Sequence, residues 1–498
     1  MDLDCTQAGK GLTVLSRNPV KLTELLTPKR VAEYQIITPQ WTYLYATALL
    51  RDEHLSIFQK LADEQACIAK YRSLWDGVPL NRSEGRGVAH HLTRDPRESG
   101  RYRQERKRIA TWAATIRDQP YTDVLQIGIG GSDLGPRAVY RALLRYAEPK
   151  SLKAHFLSNI DPDQVGRLLT HLDPRKTLVL VVSKSGSTAE TRSNWRQVKQ
   201  WWDEAGLPAA DQIRQSVSIT LPGSILDDHS QFGQTFYFFE EIGGRFSVTS
   251  VAGLAVFSVA LGMPVVDAVL AGAHAMDLHA LNTDIRQNGP LMAALNGVWE
   301  QTYLRFPARA VLAYSDALRD IPMHIQQLDC ESTGKQVNID RQPIHYRTGT
   351  MLIPGVGTDV QHSYFQMIHQ GADTIPVHMI ASLMSQVEDP LAVHDTVLAN
   401  VVGQMISLAL GKSDADPNKQ FPGNRPSTLM LTPNVTPESV GGLVSFEENR
   451  VMFLGFLWNI NAYDQEGVQL GKIMAQQVLR NSGKDPTIAA FSRLIGRI

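Results

Sequence analysis

The chain has 498 residues, a formal net charge of −1, 43% hydrophobic residues and 20% charged residues, values that are ordinary for a soluble globular protein. This length favours two or more domains. The balanced charge argues against a nucleic-acid-binding protein, which would need a basic face for phosphates.

Two further features concern the compartment and metal binding. The N-terminus MDLDCTQAGK is acidic and has no apolar segment behind it, so it is not typical of a signal peptide. The three cysteines, Cys5, Cys67 and Cys330, form neither a disulfide framework nor a C-x-x-C pair. We therefore expect a cytoplasmic protein, and the sequence gives no support for a metal site.

Residues 1–100 are predicted to be a mostly helical segment. The runs WTYLYATALL (41–50) and LSIFQKLADEQACIAKY (55–71) carry apolar residues at helical spacing. The segment ends in NRSEGRGVAHHLTRD (81–95), a polar run with glycines that is typical of a loop.

Strands alternate with helices from about residue 120 onward. The strand-like runs are DVLQIGI, AHFLSNI, TLVLVV, SVSITL and TFYFFE in the first half, and ARAVLAYS, QPIHYRTG, TIPVHMIA and STLMLTP in the second. Such alternation predicts parallel sheets covered by helices on both faces. We predict an α/β protein with a helical N-terminal segment, two α/β domains and a C-terminal helical tail, over residues 1–100, 101–285, 286–460 and 461–498.

One charge-free run could be mistaken for a membrane span. It is FSVTSVAGLAVFSVALGMPVV, residues 246–266. Its serines, threonine and glycines and the interrupting Pro264 favour a helix buried inside a large α/β protein.

Two loops that follow predicted strands are candidates for phosphate binding. Ser183, Ser185, Ser187 and Thr188 surround Lys184 directly after TLVLVV and before a helix. The first turn of a helix offers unpaired N–H groups and a positive dipole end, which attract anions. Capping the helix is the ordinary alternative, but a cap needs one hydroxyl and this loop has several.

The second loop is GIGGSDLGP, residues 128–136. It fails the dinucleotide fingerprint because Asp133 occupies the third glycine position, and it is not a Walker loop. A plain packing turn is an equally good interpretation of this loop alone. Two such loops after neighbouring strands nevertheless predict one small phosphorylated ligand at the carboxyl edge of a sheet.

Four other residues have chemistry but no distinctive context of their own. Glu331 precedes a loop and could be an exposed helix end, and Arg245 could be an ordinary paired charge. His362 lies seven residues before His369 without a cysteine or acidic partner at the same spacing, and Lys472 fits the surface of an amphipathic helix. None of the four identifies a function alone.

Together these segments resemble one family almost end to end, the glucose-6-phosphate isomerases, also called phosphoglucose isomerases. The matching blocks are NRSEGRGVAHHLTR, IGIGGSDLGP, SKSGSTAET, GGRFSVTS, QLDCESTGK, GTDVQHSYFQMIHQG and FPGNRPS…LWNINAYDQEGVQLGK. The resemblance implies two sugar-isomerase domains, each with a parallel five-stranded sheet. It also implies interconversion of glucose 6-phosphate and fructose 6-phosphate in glycolysis and gluconeogenesis, without cofactor or metal, by a homodimer.

The resemblance also implies roles for individual residues. Glu331 matches the base that moves a proton between C1 and C2, and Arg245 matches the cation that stabilises the enediolate. His362, supplied by the second protomer, and Lys472 match the pair that opens the sugar ring. The expected substrate-contacting residues are Gly131, Ser132, Ser183, Lys184, Ser185, Thr188, Gln327 and Gln465.

The chain departs from the family pattern at Thr333, Asp359 and Val360, where asparagine, asparagine and glycine are usual. Val360 replaces a permissive glycine just before His362, which predicts a changed approach of that histidine. Two alternatives follow: a sensor of the same fold that binds a sugar phosphate without turnover, and an isomerase that also accepts mannose 6-phosphate. A sensor would be free to lose Glu331 and Arg245, and both are present.

Overall fold

The computed structural model describes residues 1–479 and 485–496. The chain divides into two compact units, Met1–Ala462 and Tyr463–Ile498. The first unit is α/β and contains two sheets, and the second is helical. The domain boundaries expected at residues 100, 285 and 460 stay predictions.

The N-terminal segment is mostly helical, as predicted, but it also contains a β-hairpin. Its helices are α1 (Gln7–Leu15), α2 (Leu22–Leu25), α3 (Pro28–Glu33), α4 (Asp52–Glu64) and α5 (Cys67–Arg72), and its strands are β1 (Gln35–Ile37) and β2 (Thr42–Leu44). The helix predicted over residues 41–50 is therefore wrong. Tyr43 of this short aromatic run is fully buried, and β2 pairs antiparallel with a strand near residue 430. Tertiary pairing decides between helix and strand in such short apolar runs.

The first sheet has the five parallel strands that were expected. They are β3 (Asp123–Ile127), β4 (Lys153–Leu157), β5 (Thr177–Val182), β6 (Ser216–Thr220) and β7 (Gln234–Tyr237), in the order β4-β3-β5-β6-β7. The connecting and flanking helices are α6 (Arg101–Ile116), α7 (Leu134–Ala142), α8 (Pro162–Leu169), α9 (Ala189–Glu204) and α10 (Ala209–Arg214). The chain winds outward in opposite directions from β3 and β5, so a topological switch point lies between these two strands.

The charge-free run is a buried helix, as predicted. All ten residues of α11 (Val251–Ala260) are buried. The chain then turns at Gly262, whose φ is +102°, and α12 (Met263–His279) begins with Pro264 in its first turn. Proline is tolerated there because first-turn N–H groups have no partner within the helix.

The second sheet differs from the expected five parallel strands. Four strands are parallel, namely β8 (Ala308–Ala313), β9 (Met351–Val356), β10 (Val377–Ser382) and β11 (Ser427–Thr432). The order is β1-β2-β11-β10-β8-β9, so the antiparallel hairpin from the N-terminal segment occupies the positions next to β11. The parallel strands wind in the same sense as those of the first sheet.

The strand predicted over residues 342–349 is also wrong. That segment contributes only an isolated bridge between Val337 and Pro343, and the strand that pairs with β8 begins at Met351. β9 contains Pro354 and pairs on one side only. An edge strand tolerates a proline because one row of its N–H groups needs no partner.

The remaining helices cover the second sheet and form the C-terminal unit. In the first unit they are α13 (Gly289–Val298), α14 (Ile321–Thr333), α15 (Gly357–Gln361), α16 (Phe365–Gln370), α17 (Val393–Leu410) and α18 (Pro437–Leu457). The C-terminal unit contains α19 (Gln469–Leu479) and α20 (Pro486–Leu494). The end of the helix predicted over residues 467–483 lies partly outside the described residues.

Candidate active site

The glycine loop (residues 128–136) and the hydroxyl loop (residues 183–188) lie side by side at one edge of the first sheet. β3 and β5 are adjacent and parallel, with Ile127 opposite Val181 at their carboxyl ends. The glycine loop follows β3 and the hydroxyl loop follows β5. This is the switch point, where α/β proteins of open-sheet type bind their ligands.

The glycine loop packs backbone to backbone against the turn that carries Arg245. A Cβ added to Gly131 would lie 2.0 Å from the carbonyl oxygen of Gly244 and 2.8 Å from the nitrogen of Arg245. Gly130 has φ +61°, a conformation that side chains disfavour. These glycines therefore permit the close approach that brings Arg245 to the switch point. Ser132 is half-buried in the same loop.

Arg245 is buried and held at several points. Its Nε donates a hydrogen bond to Ser332 Oγ at 2.6 Å, and its Nη2 donates to the carbonyl oxygen of Ala462 at 2.5 Å. Only 1% of its side chain is exposed. A guanidinium fixed in this way costs little reorganisation when charge develops on a bound ligand.

Glu331 lies beside this guanidinium, near the C-terminal end of α14. Its Oε2 is 3.6 Å from Nη1 of Arg245, and 19% of its side chain is exposed. Gln327, one turn earlier on the same helix face, donates Nε2 to Glu331 Oε2 at 3.2 Å. The structure thus brings Glu331, Arg245 and Gln327 together, and the exposed fraction leaves the carboxylate accessible to a ligand.

The side-chain hydroxyls of the hydroxyl loop are not used to cap α9. Thr188 occupies the N-cap position and makes no side-chain capping hydrogen bond. Instead Ser183 Oγ pairs with Thr188 Oγ1 at 2.9 Å, and Ser185 Oγ pairs with Ser187 Oγ at 2.8 Å. Ser185 and Ser187 are exposed. The capping alternative therefore does not explain these side chains, and the loop presents hydroxyls at the start of a 16-residue helix.

Lys184 reaches away from the hydroxyls of its own loop. Its Nζ donates to the carbonyl oxygens of Glu240 at 2.7 Å and Ile242 at 2.8 Å. Burial, aided by the nearby guanidinium of Arg86, lowers the pKa of Lys184 to about 8. The sequence predicted that Lys184 contacts a phosphate directly. Two of the three N–H donors of its ammonium are instead used by these carbonyls.

His362 is exposed just after α15. Val360 lies within this helix without a positive φ, and its Cγ1 occupies the space where a Cβ on Gly355 would lie, only 2.5 Å away. The backbone before His362 therefore needs no glycine, and Val360 adds core packing against β9. The expected change in approach does not arise from backbone strain.

The remaining predicted site residues lie in the C-terminal unit. Lys472 is exposed on α19, and Gln465 is exposed just before that helix. The expected contacts of both residues with a substrate stay predictions.

Four buried residues that support the site were missed from the sequence. Ser332 receives the Nε bond of Arg245, and Asp329, on the buried side of α14, pairs with Arg450 at 2.8 Å. Arg450 also bonds Glu447 at 2.6 Å. The run EENR (447–450) within the apolar helix α18 was the available signal, because buried charges need partners. Thr333, one of the departures, donates its hydroxyl to the carbonyl of Asp329 at 2.8 Å.

No group of three His, Cys, Asp or Glu side chains with the geometry of a metal site occurs in residues 1–479 and 485–496. The groups that the structure brings together at the site are one carboxylate, one guanidinium, one amide and a loop of hydroxyls.

The fold and these groups define an α/β protein with a candidate ligand site at the switch point of its first sheet, and comparisons with known proteins specify the family. The family model for phosphoglucose isomerase matches residues 44–493. A glucose-6-phosphate isomerase of Treponema denticola is 41% identical over 94% of this chain and 93% of its own length. One of Borreliella afzelii is 38% identical over 96% of both chains. The crystal structure of a glucose-6-phosphate isomerase from Chlamydia trachomatis superposes with a TM-score of 0.94 at 35% identity, covering 100% of this chain and 99% of that one. The chain belongs to the phosphoglucose isomerase family.

Proposed function

We propose that the protein is a glucose-6-phosphate isomerase, which interconverts glucose 6-phosphate and fructose 6-phosphate in glycolysis and gluconeogenesis. The observation that carries the proposal is the pairing of Glu331 with the buried Arg245 beside the switch point of the first sheet. A non-catalytic sensor would have no need of this pair. Family membership supports the same reaction.

Glu331 acts as the base in this proposal. Aldose-ketose isomerisation removes a carbon-bound proton next to a carbonyl and returns a proton to the neighbouring carbon. A single carboxylate can perform both transfers on one face of the substrate. Its hydrogen bond from Gln327 fixes the side chain while part of it stays exposed to the substrate.

Arg245 stabilises the enediolate that forms between the two proton transfers. Negative charge develops on oxygen in this intermediate, and a fixed cation in a site of low dielectric is worth more there than in water. The bonds from Arg245 to Ser332 and Ala462 each fix one nitrogen of the guanidinium. No metal or cofactor has a role in this proposal.

The hydroxyl loop binds the 6-phosphate, several bonds from the reacting carbons. Ser183, Ser185 and Thr188 supply hydroxyls, and the N–H groups at the start of α9 supply the dipole end. Gly131 and Ser132 contribute from the adjacent loop. Binding energy from the non-reacting phosphate then orients C1 and C2 against Glu331.

Ring opening falls to His362 and Lys472, and His362 acts in the site of a partner subunit. Two observations support a homodimer. His362 is exposed in the single chain, and α17, the helix against which α15 packs, carries exposed apolar residues. Among the described residues, α17 is the one helix long and apolar enough to cross a membrane. In this protein α17 covers β10 and β11. Its exposed apolar residues, which suit contact with a second copy of the chain, are Val393, Val402, Ile406 and Leu410.

We also propose a cytoplasmic location for the protein, and the free cysteines agree with that proposal.

A coupled assay tests the proposed function. The purified protein is given fructose 6-phosphate with excess chelator, and glucose 6-phosphate is followed through a dehydrogenase. Glu331→Gln is expected to bind substrate and lose nearly all turnover, whereas Glu33→Gln, an exposed carboxylate on α3, keeps it. Binding without turnover in the wild type would favour a sensor, and comparable rates on mannose 6-phosphate would favour relaxed specificity.

A further inference from the structure

The segment that leads into Arg245 is held by cations from two distant parts of the chain. Lys184, from the hydroxyl loop, donates to the carbonyls of Glu240 and Ile242. Arg86 donates Nη1 to the same Glu240 carbonyl at 2.7 Å. Residues 240–242, here called the tether segment, are followed directly by Gly243, Gly244 and Arg245.

Arg86 belongs to NRSEGRG, a run to which the proposed reaction gives no role. Its guanidinium is itself paired with Glu84, and residues Asn81 and Arg86 are bridged across the turn. Asn461, next to the Ala462 carbonyl that accepts from Arg245, donates Nδ2 to Asn81 Oδ1 at 2.9 Å. This run therefore contacts the tether segment through Arg86. Through Asn81 it contacts Asn461, the residue before the Ala462 carbonyl that accepts from Arg245.

We infer that Lys184 is a positioning residue that couples occupancy of the hydroxyl loop to the position of Arg245. The inference deepens the proposed function and rests on it. A ligand that orders residues 183–188 also orders the Lys184 side chain, and two hydrogen bonds carry that order to the tether segment. The phosphate is thus read by the hydroxyls and amides of the loop, while the lysine transmits its presence to the arginine that acts on the enediolate.

Two features favour this role over a direct phosphate contact. The ammonium is half-buried against two carbonyls, where moving it would leave both acceptors without its donors. Gly243 and Gly244 separate the tether segment from Arg245, and a Cβ on Gly244 would meet nothing within 4 Å. The Gly244 carbonyl packs against Gly131 on one side, and a glycine link with little stiffness of its own transmits position only if the segment before it is also fixed.

Hydrogen exchange with inorganic phosphate as the probe tests the coupling without any turnover. In the wild type, phosphate is expected to slow exchange in residues 183–188 and also in residues 240–247. In Lys184→Met, phosphate should still slow exchange in residues 183–188 but no longer in residues 240–247. Lys199→Met is the matched control, because this half-buried lysine on α9 bonds Gln231 and not the tether segment.

Affinity and kinetics provide the second readout. Lys184→Met should leave the Kd for inorganic phosphate within about threefold of the wild type, whereas kcat falls by about tenfold or more with a smaller change in KM. A phosphorylated five-carbon sugar acid, whose carboxylate mimics the enediolate charge, should lose affinity by a similar factor.

Three results would overturn the inference. One is a Kd for phosphate that rises about tenfold in Lys184→Met, which would make the third N–H of the ammonium a direct ligand. Another is protection of residues 240–247 that persists in this variant. The last needs no variant: in the wild type, phosphate would slow hydrogen exchange in residues 183–188 but not in residues 240–247. Absence of isomerase turnover in the wild type would instead contradict the proposed function, and the exchange result would still decide the coupling.

Discussion

Nη1 of Arg245 lies 3.6 Å from Oε2 of Glu331, and the arginine is buried while the carboxylate is partly accessible. This relationship places a fixed cation beside an accessible base. The pair links two elements that are far apart in the chain, the turn before α11 and the end of α14.

Replacing Arg245 with lysine should reduce kcat far more than it changes KM. Lysine has a single ammonium and cannot bond Ser332, bond Ala462 and face the substrate in the same geometry. We expect a loss in kcat of about 10²–10³-fold, typical for removal of one preorganised stabilising donor. Steady-state kinetics measures it, with Arg103→Lys on the exposed face of α6 as the control. A variant with wild-type kcat would remove Arg245 from the reaction.

The hydroxyl loop should contribute mainly to substrate binding. Each hydroxyl that bonds a charged phosphate contributes about 1.5–3 kcal/mol, so the double variant Ser185→Ala with Thr188→Ala should raise KM by about 100-fold or more. kcat should change much less, because these hydroxyls do not touch the reacting carbons. Thr115→Ala on α6 serves as the control. An unchanged KM would exclude the two hydroxyls from the phosphate site.

His362 should act in the site of the other subunit, and mixing inactive variants shows whether it does. His362→Ala and Glu331→Gln are each expected to be nearly inactive alone. After unfolding and refolding together, a mixed dimer combines the intact Glu331 of one subunit with the intact His362 of the other. Activity should recover to about a quarter of the wild-type value, since half of the dimers are mixed and half of their sites are intact. No recovery from the two inactive variants would place His362 in the site of its own chain, and an active His362→Ala would place it outside the site.

Buried histidines should make the folded protein less stable as the pH falls. Burial lowers the pKa of His91 and of His324 to about 4, below the ordinary value near 6.5. The unfolded chain therefore binds more protons between these values, so the free energy of unfolding is highest above pH 6.5 and decreases toward pH 4. Urea unfolding across this range measures the slope.

His324→Met should reduce that slope by about one proton, because both ring nitrogens of His324 are buried without a hydrogen-bond partner. His171→Met, at an exposed position, should leave the slope unchanged. A slope that is the same in His324→Met as in the wild type would mean that the pKa of His324 is not lowered in the folded protein.

Much of the fold could be predicted because apolar runs, glycines and hydroxyl-rich loops report local structure directly. The five strands of the first sheet and the two loops at its edge follow from such patterns. β2 could not, because three residues of an aromatic run take their conformation from the strand they pair with. The strand that is β9 was predicted too early in the chain, because its segment contains Pro354. A proline is acceptable in a strand at a sheet edge, and the sequence does not reveal which strands lie at an edge.

The site was predictable in its residue types but not in its contacts. Glu331 and Arg245 could be named from their motifs, whereas the role of Ser332 depends on which face of α14 meets the turn at Arg245. Lys184 was expected to face a phosphate, and its ammonium instead reaches carbonyls more than 50 residues away in the chain. Long flexible side chains are the least predictable in this respect, because their partners depend on tertiary packing.

The central claim, that Glu331 carries the proton between C1 and C2, is tested most directly by isomerisation in deuterium oxide. Fructose 6-phosphate is converted by the wild type and by Glu331→Gln, and deuterium at C2 of glucose 6-phosphate is measured by nuclear magnetic resonance. The account predicts deuterium at C2 with the wild-type protein and essentially none with Glu331→Gln, because a proton held by a carboxylate exchanges with solvent before its return. Incorporation at the wild-type rate by Glu331→Gln would contradict the account, and another group would then be the base.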